Sequence, residues 1–221
     1  MKPRVILHNA VSLDGRLDHI KVDLGLYYGL GARFAPDAVL VGSGTILAAP
    51  DEIPPDDGAA PAPAAPGDED LPLLVAADGR GRIRNWHFWR KQEYWRAAVA
   101  LCHEGTPRDY LSYLEEKRVD CIVTGRERVD LGAALYELNA RYGVRTVRVD
   151  SGGTLNGALL RGGLVDEVSL IVTPSLVGGE SPRTFFRAPD LTGSGGAIRL
   201  ALTHLERLEG GMVWLRYDVA G

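Results

Sequence analysis

The stretch Thr146-Val-Arg-Val-Asp-Ser-Gly-Gly-Thr-Leu-Asn-Gly-Ala-Leu-Leu-Arg161 decides the fold class. A short apolar run over 146–149 breaks into Ser151-Gly152-Gly153-Thr154, and a helical pattern begins at Leu155 and closes at Arg161. A strand that passes through a glycine turn into a helix is the repeating unit of a parallel α/β sheet.

The same alternation extends to both sides. Apolar runs at 5–11, 38–41, 73–76, 97–101, 121–123 and 168–172 are short, and several are β-branched enough to be strands buried on both faces. Helix patterns lie between them at 24–34, 107–117 and 131–142. The end of the chain differs: residues 198–208 and 212–219 flank Glu209-Gly210-Gly211 and read as an antiparallel hairpin. The expectation is one α/β domain over residues 1–221, a mostly parallel sheet with helices on both faces and a C-terminal hairpin. The hairpin's Leu200, Leu202 and Leu205, with Val213, Leu215 and Tyr217, are expected to turn one face to the core, while its edge invites a homodimer.

Residues 50–72 break the pattern. They hold seven of the 13 prolines and seven of the 29 acids, with no Lys or Arg, around the low-complexity core Gly58-Ala-Ala-Pro-Ala-Pro-Ala-Ala-Pro66. Such a segment can neither continue a helix nor join a central strand, so it reads as a mobile insertion. The net charge of −4 therefore misleads, because the rest of the chain is weakly basic. That excess is too small and scattered for nucleic-acid binding, yet it leaves room for a small phosphorylated ligand. With 45% apolar residues the chain is not disordered, and no apolar run approaches the roughly 20 residues of a membrane-spanning helix. The start, Met1-Lys-Pro-Arg4, lacks the apolar core of a secretory signal, so the protein is expected in the cytoplasm and off the membrane. Cys102 and Cys121 stand apart from any metal-type cluster and read as buried thiols. The lone histidines, His8 among them, read as satisfied structural residues, and no metal site is expected.

Two glycine segments follow strands, Gly42-Ser43-Gly44-Thr45 and Ser151-Gly152-Gly153-Thr154. Beyond the carboxyl end of a parallel strand, glycine lets the backbone approach a phosphate, and helix amides attract the anion. Each is equally a plain strand-to-helix turn with a capping threonine. Neither matches a Rossmann or P-loop motif, but two in one chain point to a dinucleotide with a pyrophosphate.

Four blocks carry a family resemblance: Val11-Ser-Leu-Asp-Gly15, Asp37-Ala-Val-Leu-Val-Gly-Ser-Gly-Thr45, Val129-Asp-Leu131, and Gly152-Gly-Thr-Leu-Asn-Gly157 with Gly163-Leu-Val-Asp-Glu167. In order and spacing they resemble the C-terminal reductase domain of riboflavin-biosynthesis deaminase/reductases and its stand-alone archaeal-type counterparts, which share a dihydrofolate-reductase-like fold. The zinc-deaminase signature is absent from the sequence. The resemblance implies NADPH-dependent reduction of a ribosylamino-pyrimidine 5′-phosphate, with hydride delivered to the sugar C1′, and a homodimer. It implies that Thr45, Gly152, Gly153, Thr154 and Leu155, together with Gly42 and Gly44, line the cofactor. Arg80 would take the 2′-phosphate, ahead of a basic surface formed by Arg82, Arg84, Arg90, Lys91 and Arg96.

Asp150 stands where the family usually has Glu, facing substrate, and Ser12 and Asp14 belong to the turn beside nicotinamide and substrate. Ser-Leu-Asp-Gly is equally good as a turn alone. Asp14, Asp23, Tyr27 and Asp150 are the candidate proton donors; Asp14 and Asp150 are taken as catalytic, and Ser12, Asp23, Tyr27 and Asp150 as substrate contacts. Departures from the family pattern lie at Ala48-Ala49-Pro50, where an acid is usual, and in the first helix, Val22-Asp-Leu-Gly-Leu-Tyr-Tyr28. They leave open another heterocycle, pterin or folate-like, or an idle nucleotide-binding protein.

Overall fold

The structure is a computed structural model describing residues 1–48, 52–58 and 68–220. In chain order the elements are β1 (Arg4–Val11), α1 (Leu24–Ala32), β2 (Ala38–Gly42), α2 (Ser43–Ala48), β3 (Leu73–Ala77), α3 (Trp86–Trp89), β4 (Ala97–Cys102), α4 (Arg108–Glu116), β5 (Asp120–Val123), α5 (Leu131–Tyr142), β6 (Thr146–Val149), α6 (Gly153–Arg161), β7 (Glu167–Val172), β8 (Leu200–Arg207) and β9 (Val213–Val219). The expected mostly parallel α/β sheet with a C-terminal antiparallel pair is what forms. Strand ends differ from the sequence reading by a residue or two. No helix among the described residues is long and apolar enough to cross a membrane.

The backbone gathers into two compact units, Met1–Pro3 with Pro36–Val147, and Arg4–Ala35 with Arg148–Gly221. In the first unit the strands run β5-β4-β3-β2, all parallel. Alternate residues Val39, Val41, Leu74, Ala76, Ala98, Ala100 and Cys102 point to one face, where Ile46, Trp86, Tyr110 and Leu114 close over them. Trp86 is fully buried and donates its indole N–H to the Tyr110 hydroxyl at 3.0 Å, so neither polar group is orphaned. Asp130 caps α5 by accepting from the Ala133 N–H at 2.9 Å, and Gly143 ends that helix at φ +68°.

Residues 52–58 belong to this unit, exposed and without regular secondary structure, and are tied down by charge. Lys117 Nζ meets Asp56 at 2.7 Å, Lys91 Nζ meets Asp57 at 2.6 Å, and His87 Nε2 donates to the Pro54 carbonyl at 3.0 Å. Asp56 is held below the ordinary carboxylate range by the Lys117 ammonium and the Gly58 N–H. Of the insertion read as mobile, 50–51 and 59–67 lie outside the described residues, while Asp68–Asp70 form a single 3-10 turn before β3.

In the second unit β1 pairs parallel with β7, β7 antiparallel with β9, and β9 with β8 at the edge. Tyr27, Leu30, Ile171 and Trp214 form its apolar centre beside α1. The hairpin corrects one expectation. Leu200, Leu202 and Leu205 are 44, 54 and 63% exposed rather than packed on the core, and an irregularity between Leu202 and His204 shifts the register there. β8 is the last strand of the sheet, so its outer edge has no strand partner among the described residues.

Candidate functional site

The second unit carries the denser constellation. β6 ends at Val149, Asp150 follows, and α6 opens at Gly153, two residues earlier than its sequence pattern suggested. Its N-cap is Gly152, which has no side chain to offer, so the first-turn amides of Gly153, Thr154 and Leu155 are left without a side-chain cap. α1 shows the alternative arrangement: Asp23, expected at the substrate, is its N-cap and accepts from the Leu26 N–H at 3.0 Å. Uncapped amides at a helix start attract an anion.

Two buried asparagines that sequence reasoning passed over shape this strand end. Asn9 donates to the Ser151 carbonyl at 2.9 Å; Asn156 donates to Asn9 Oδ1 at 2.9 Å and to the Phe185 carbonyl at 2.8 Å. The available signal was an asparagine inside an apolar strand, since a buried amide needs partners. Gly153 and Gly157 also serve the packing of α6. A Cβ on Gly153 would fall on the Thr184 carbonyl oxygen and 3.0 Å from Arg187 N, and one on Gly157 would fall on the Arg187 carbonyl oxygen. These glycines let the 184–187 backbone press on α6.

Asp14 and Asp150 have opposite electrostatics. Asp14 accepts from the Ser12 hydroxyl at 2.6 Å, the Gly178 N–H at 2.7 Å and the Val177 N–H at 3.1 Å. Those donors, Ser12 first, hold its pKa down to about 2. It is an ionised anchor that pins the strand-end turn to the segment after β7, aided by Arg16, which donates to the Ser181 carbonyl at 2.7 Å. Ser12 is buried in that turn and also accepts from the Arg16 N–H at 2.9 Å. Asp150 goes the other way. Burial pushes its pKa up, against the pull that the Tyr27 hydroxyl, 2.8 Å away, exerts when it donates to the carboxylate, and against the Arg148 charge. Tyr27 is buried on α1, and its ring stacks at a tilt on His8, 4.6 Å between centroids.

His8 is a structural residue, as read. Its Nε2 donates to the Tyr27 carbonyl at 3.1 Å, which leaves Nδ1 to accept from the Ser169 hydroxyl at 2.9 Å; Ser169 in turn accepts from Trp214 Nε1 at 2.8 Å. Burial first, and the Arg148 charge as well, lower its pKa to about 4 against the pull of the Tyr27 carbonyl, so it is neutral at pH 7.

In the first unit the other glycine segment is a helix rather than a loop: Ser43–Ala48 is α2, fixed by Ile46 in the core. Gly42 pairs in register with Ala77, which brings the start of α2 to the same strand ends as the turn after β3. Asp78 shapes that turn by accepting from the Ile83 N–H at 2.8 Å. Arg80 is exposed on it, while Arg82 reaches back and donates to Ser43 Oγ at 2.7 Å. Gly44 is exposed, with open space where a Cβ would go, and Thr45 is half-buried beside it. The two arginines thus differ: Arg82, read from sequence as basic surface, touches the glycine segment.

Residues 3–214 match the family described as the RibD C-terminal domain. The chain is 31% identical over 227 residues to the 2,5-diamino-6-ribosylamino-4(3H)-pyrimidinone 5′-phosphate reductase of Methanothermobacter thermautotrophicus, with both chains covered completely. It is 32% identical over 199 residues to the protein of the same name from Archaeoglobus fulgidus, covering 83% of this chain and 86% of that one. Among solved structures, Acinetobacter baumannii RibD superposes with a TM-score of 0.72 at 23% identity, over 99% of this chain and 58% of that longer one. Saccharomyces cerevisiae riboflavin biosynthesis reductase Rib7 superposes at 0.68 and 20% identity, over 99% and 90% of the two chains. At those identities the structural likeness speaks for the fold.

Proposed function

The chain belongs to the RibD C-terminal domain family, and from that premise we propose that it is an NADPH-dependent reductase of a ribosylamino-pyrimidine 5′-phosphate. The observation that carries the reading is the strand end of β6, where a half-buried carboxyl of raised pKa, Asp150, adjoins a helix start whose amides have no side-chain cap. A bound nicotinamide supplies hydride to the sugar C1′. The protein's part is to hold the reactants and to give a proton to the ring oxygen released as C1′ is reduced. Asp150 suits that second task because burial favours the protonated form of its carboxyl. Asp14 does not, since at a pKa of about 2 it is ionised, and it acts instead by fixing Ser12 and the 177–178 backbone.

The amides of Gly153, Thr154 and Leu155 fit a pyrophosphate. Gly42, Gly44 and Thr45 offer a second close approach, and the preference for NADPH over NADH rests on Arg82, seated at Ser43, with Arg80 beside it in sequence. The exposed leucines of β8 favour a homodimer built on that edge.

The test is NADPH consumption with the ribosylamino-pyrimidinone 5′-phosphate and identification of a ribitylamino product. Asp150→Asn is expected to cut kcat by about 10² or more while leaving NADPH affinity within about twofold. Absence of turnover with this substrate, beside turnover of a pterin, would replace the substrate assignment.

A further inference from the structure

Tyr27 Oη lies 2.8 Å from two oxygens, the main-chain carbonyl of His8 and Oδ1 of Asp150. A tyrosine hydroxyl has one proton, and a carbonyl oxygen only accepts. If the tyrosine proton goes to the carboxyl, the His8 carbonyl faces a bare phenolic oxygen at hydrogen-bond distance. The only assignment in which both contacts are full hydrogen bonds sends the Tyr27 proton to His8 and places a second proton on Asp150 Oδ1, which donates it to Tyr27. We infer that Tyr27 is a positioning residue that selects the protonated form of Asp150 and aims its carboxyl, loading the acid that the reductase reading requires.

The surroundings agree. Tyr27 is buried on α1 with its ring against His8, so the hydroxyl is fixed between its two partners. The titratable and charged groups that act on Asp150 are Tyr27 of α1 and Arg148 of β6; Tyr28 and His8 lie against Tyr27, and His8 is neutral through the physiological range. The Arg148 guanidinium lies over the Tyr28 ring, 5.8 Å from the centroid, and makes no ion pair with Asp150. Loss of water around the carboxyl favours its protonated form; a Tyr27 hydroxyl donating to the carboxylate would oppose that, and the inferred pattern removes the opposition.

The inference also gives the proton a path. When Asp150 gives its proton to the released ring oxygen, it becomes a carboxylate, and Tyr27 can swing its own proton from the His8 carbonyl to Oδ1. That single rotation stabilises the anion until solvent returns the proton. The O–H bond of the carboxyl breaks, the O–H bond of the product forms, and both electrons of the reduction come with the hydride.

Because the inference rests on the reductase reading only for its purpose, its test needs no cofactor or substrate. Aspartate labelled with ¹³C at the side-chain carboxyl, with the Asp150 signal identified by its loss in Asp150→Asn, reports the titration directly in the free protein. The Asp150 midpoint is expected above the ordinary carboxylate range, and Tyr27→Phe is expected to lower it, with about a tenfold loss of proton affinity. A rise in Tyr27→Phe would mean that the tyrosine donates to the carboxylate, and no change would mean that it does not select the proton; either overturns the inference. Should Tyr27→Phe not fold, infrared difference spectra of wild type against Asp150→Asn at a pH one unit above the ordinary value decide it: a protonated carboxyl band supports the inference and its absence refutes it. A protein that titrates as expected yet turns over no ribosylamino substrate would sink the function and spare Tyr27.

Discussion

Gly44 and Gly153 stand at equivalent points in the sequence, each just after a buried strand and at the start of a helix, yet they solve different problems. Gly44 opens on space; no heavy atom lies within 4 Å of where its side chain would begin. Gly153 is wedged under the backbone of residues 184–187, with Gly157 one turn on in the same position. The first leaves open space. The second is small so that the protein can close on itself, and what its helix start offers is amides without a side-chain cap, not vacant volume. Alike in sequence, the two ends should fail in different ways when filled.

Filling the closed end gives the largest effect. Gly157→Val drives two methyl groups into the Arg187 carbonyl, and α6 cannot move without breaking the Asn156 bonds to Asn9 and Phe185. A loss of more than about 4 kcal/mol is expected, read from urea midpoints, with insoluble expression as its extreme form. Gly153→Ala should behave alike but less severely. If either variant folds with native stability and loses only dinucleotide binding, the comparison is wrong and both glycine ends are open.

The second unit should also carry the acid sensitivity. His8 has its pKa lowered by burial from 6.5 to about 4, so between those values the unfolded chain takes up a proton that the folded chain refuses. Stability is complete above pH 6.5 and falls as pH drops toward 4, by roughly 3 kcal/mol in total. Urea unfolding at pH 7 and pH 4.5 measures this, and His8→Gln should flatten the dependence. Equal slopes in the two proteins would remove His8 as the cause.

At the open end the cost should appear in binding instead of folding. Gly44→Val is expected to shift stability by less than about 1 kcal/mol while weakening NADPH tenfold or more by titration calorimetry. Arg82→Ala should weaken NADPH by about 1.5–3 kcal/mol, the worth of a hydrogen bond to a charged group, and leave NADH nearly unchanged. Arg80→Ala separates the two arginines. A larger loss there than at Arg82 would restore the assignment that sequence position alone suggested.

The sheet was legible because strand runs and glycine punctuation are local, and each β-to-α step repeats them. The helix α2 was not, since Ser-Gly-Thr is poor helix sequence and only the burial of Ile46 against β2 and β3 makes it one. Asp150 could be singled out through the family resemblance, but its contact with Tyr27, 123 positions away on α1, is one no local pattern spans. The distinction between Asp14 and Asp150 was equally out of reach, because it depends on the 177–178 amides folding back over one carboxyl and not the other. The hairpin leucines misled: alternation shows that one face is apolar, and it does not say whether the chain itself supplies the cover.

The smallest effect belongs to the acidic segment, which tests whether the first unit's open end depends on its neighbour in sequence. Residues 52–58 lie just beyond α2 in the chain, but their bonds run to Lys117, Lys91 and His87 rather than to Ser43 or Arg82. The Lys117–Asp56 pair is partly exposed on both sides, at 23 and 30%, so salt screens it and side-chain freedom offsets much of its attraction. Lys91→Ala combined with Lys117→Ala should therefore leave the melting midpoint within about 2 °C and NADPH affinity unchanged. What should change is local release. A protease that cuts after acidic residues is expected to cleave at Glu52, Asp56 or Asp57 several times faster in the double variant, and high salt should bring the wild type to the same rate. A fall in NADPH affinity instead would tie the segment to the glycine end of α2 and make the open site dependent on it.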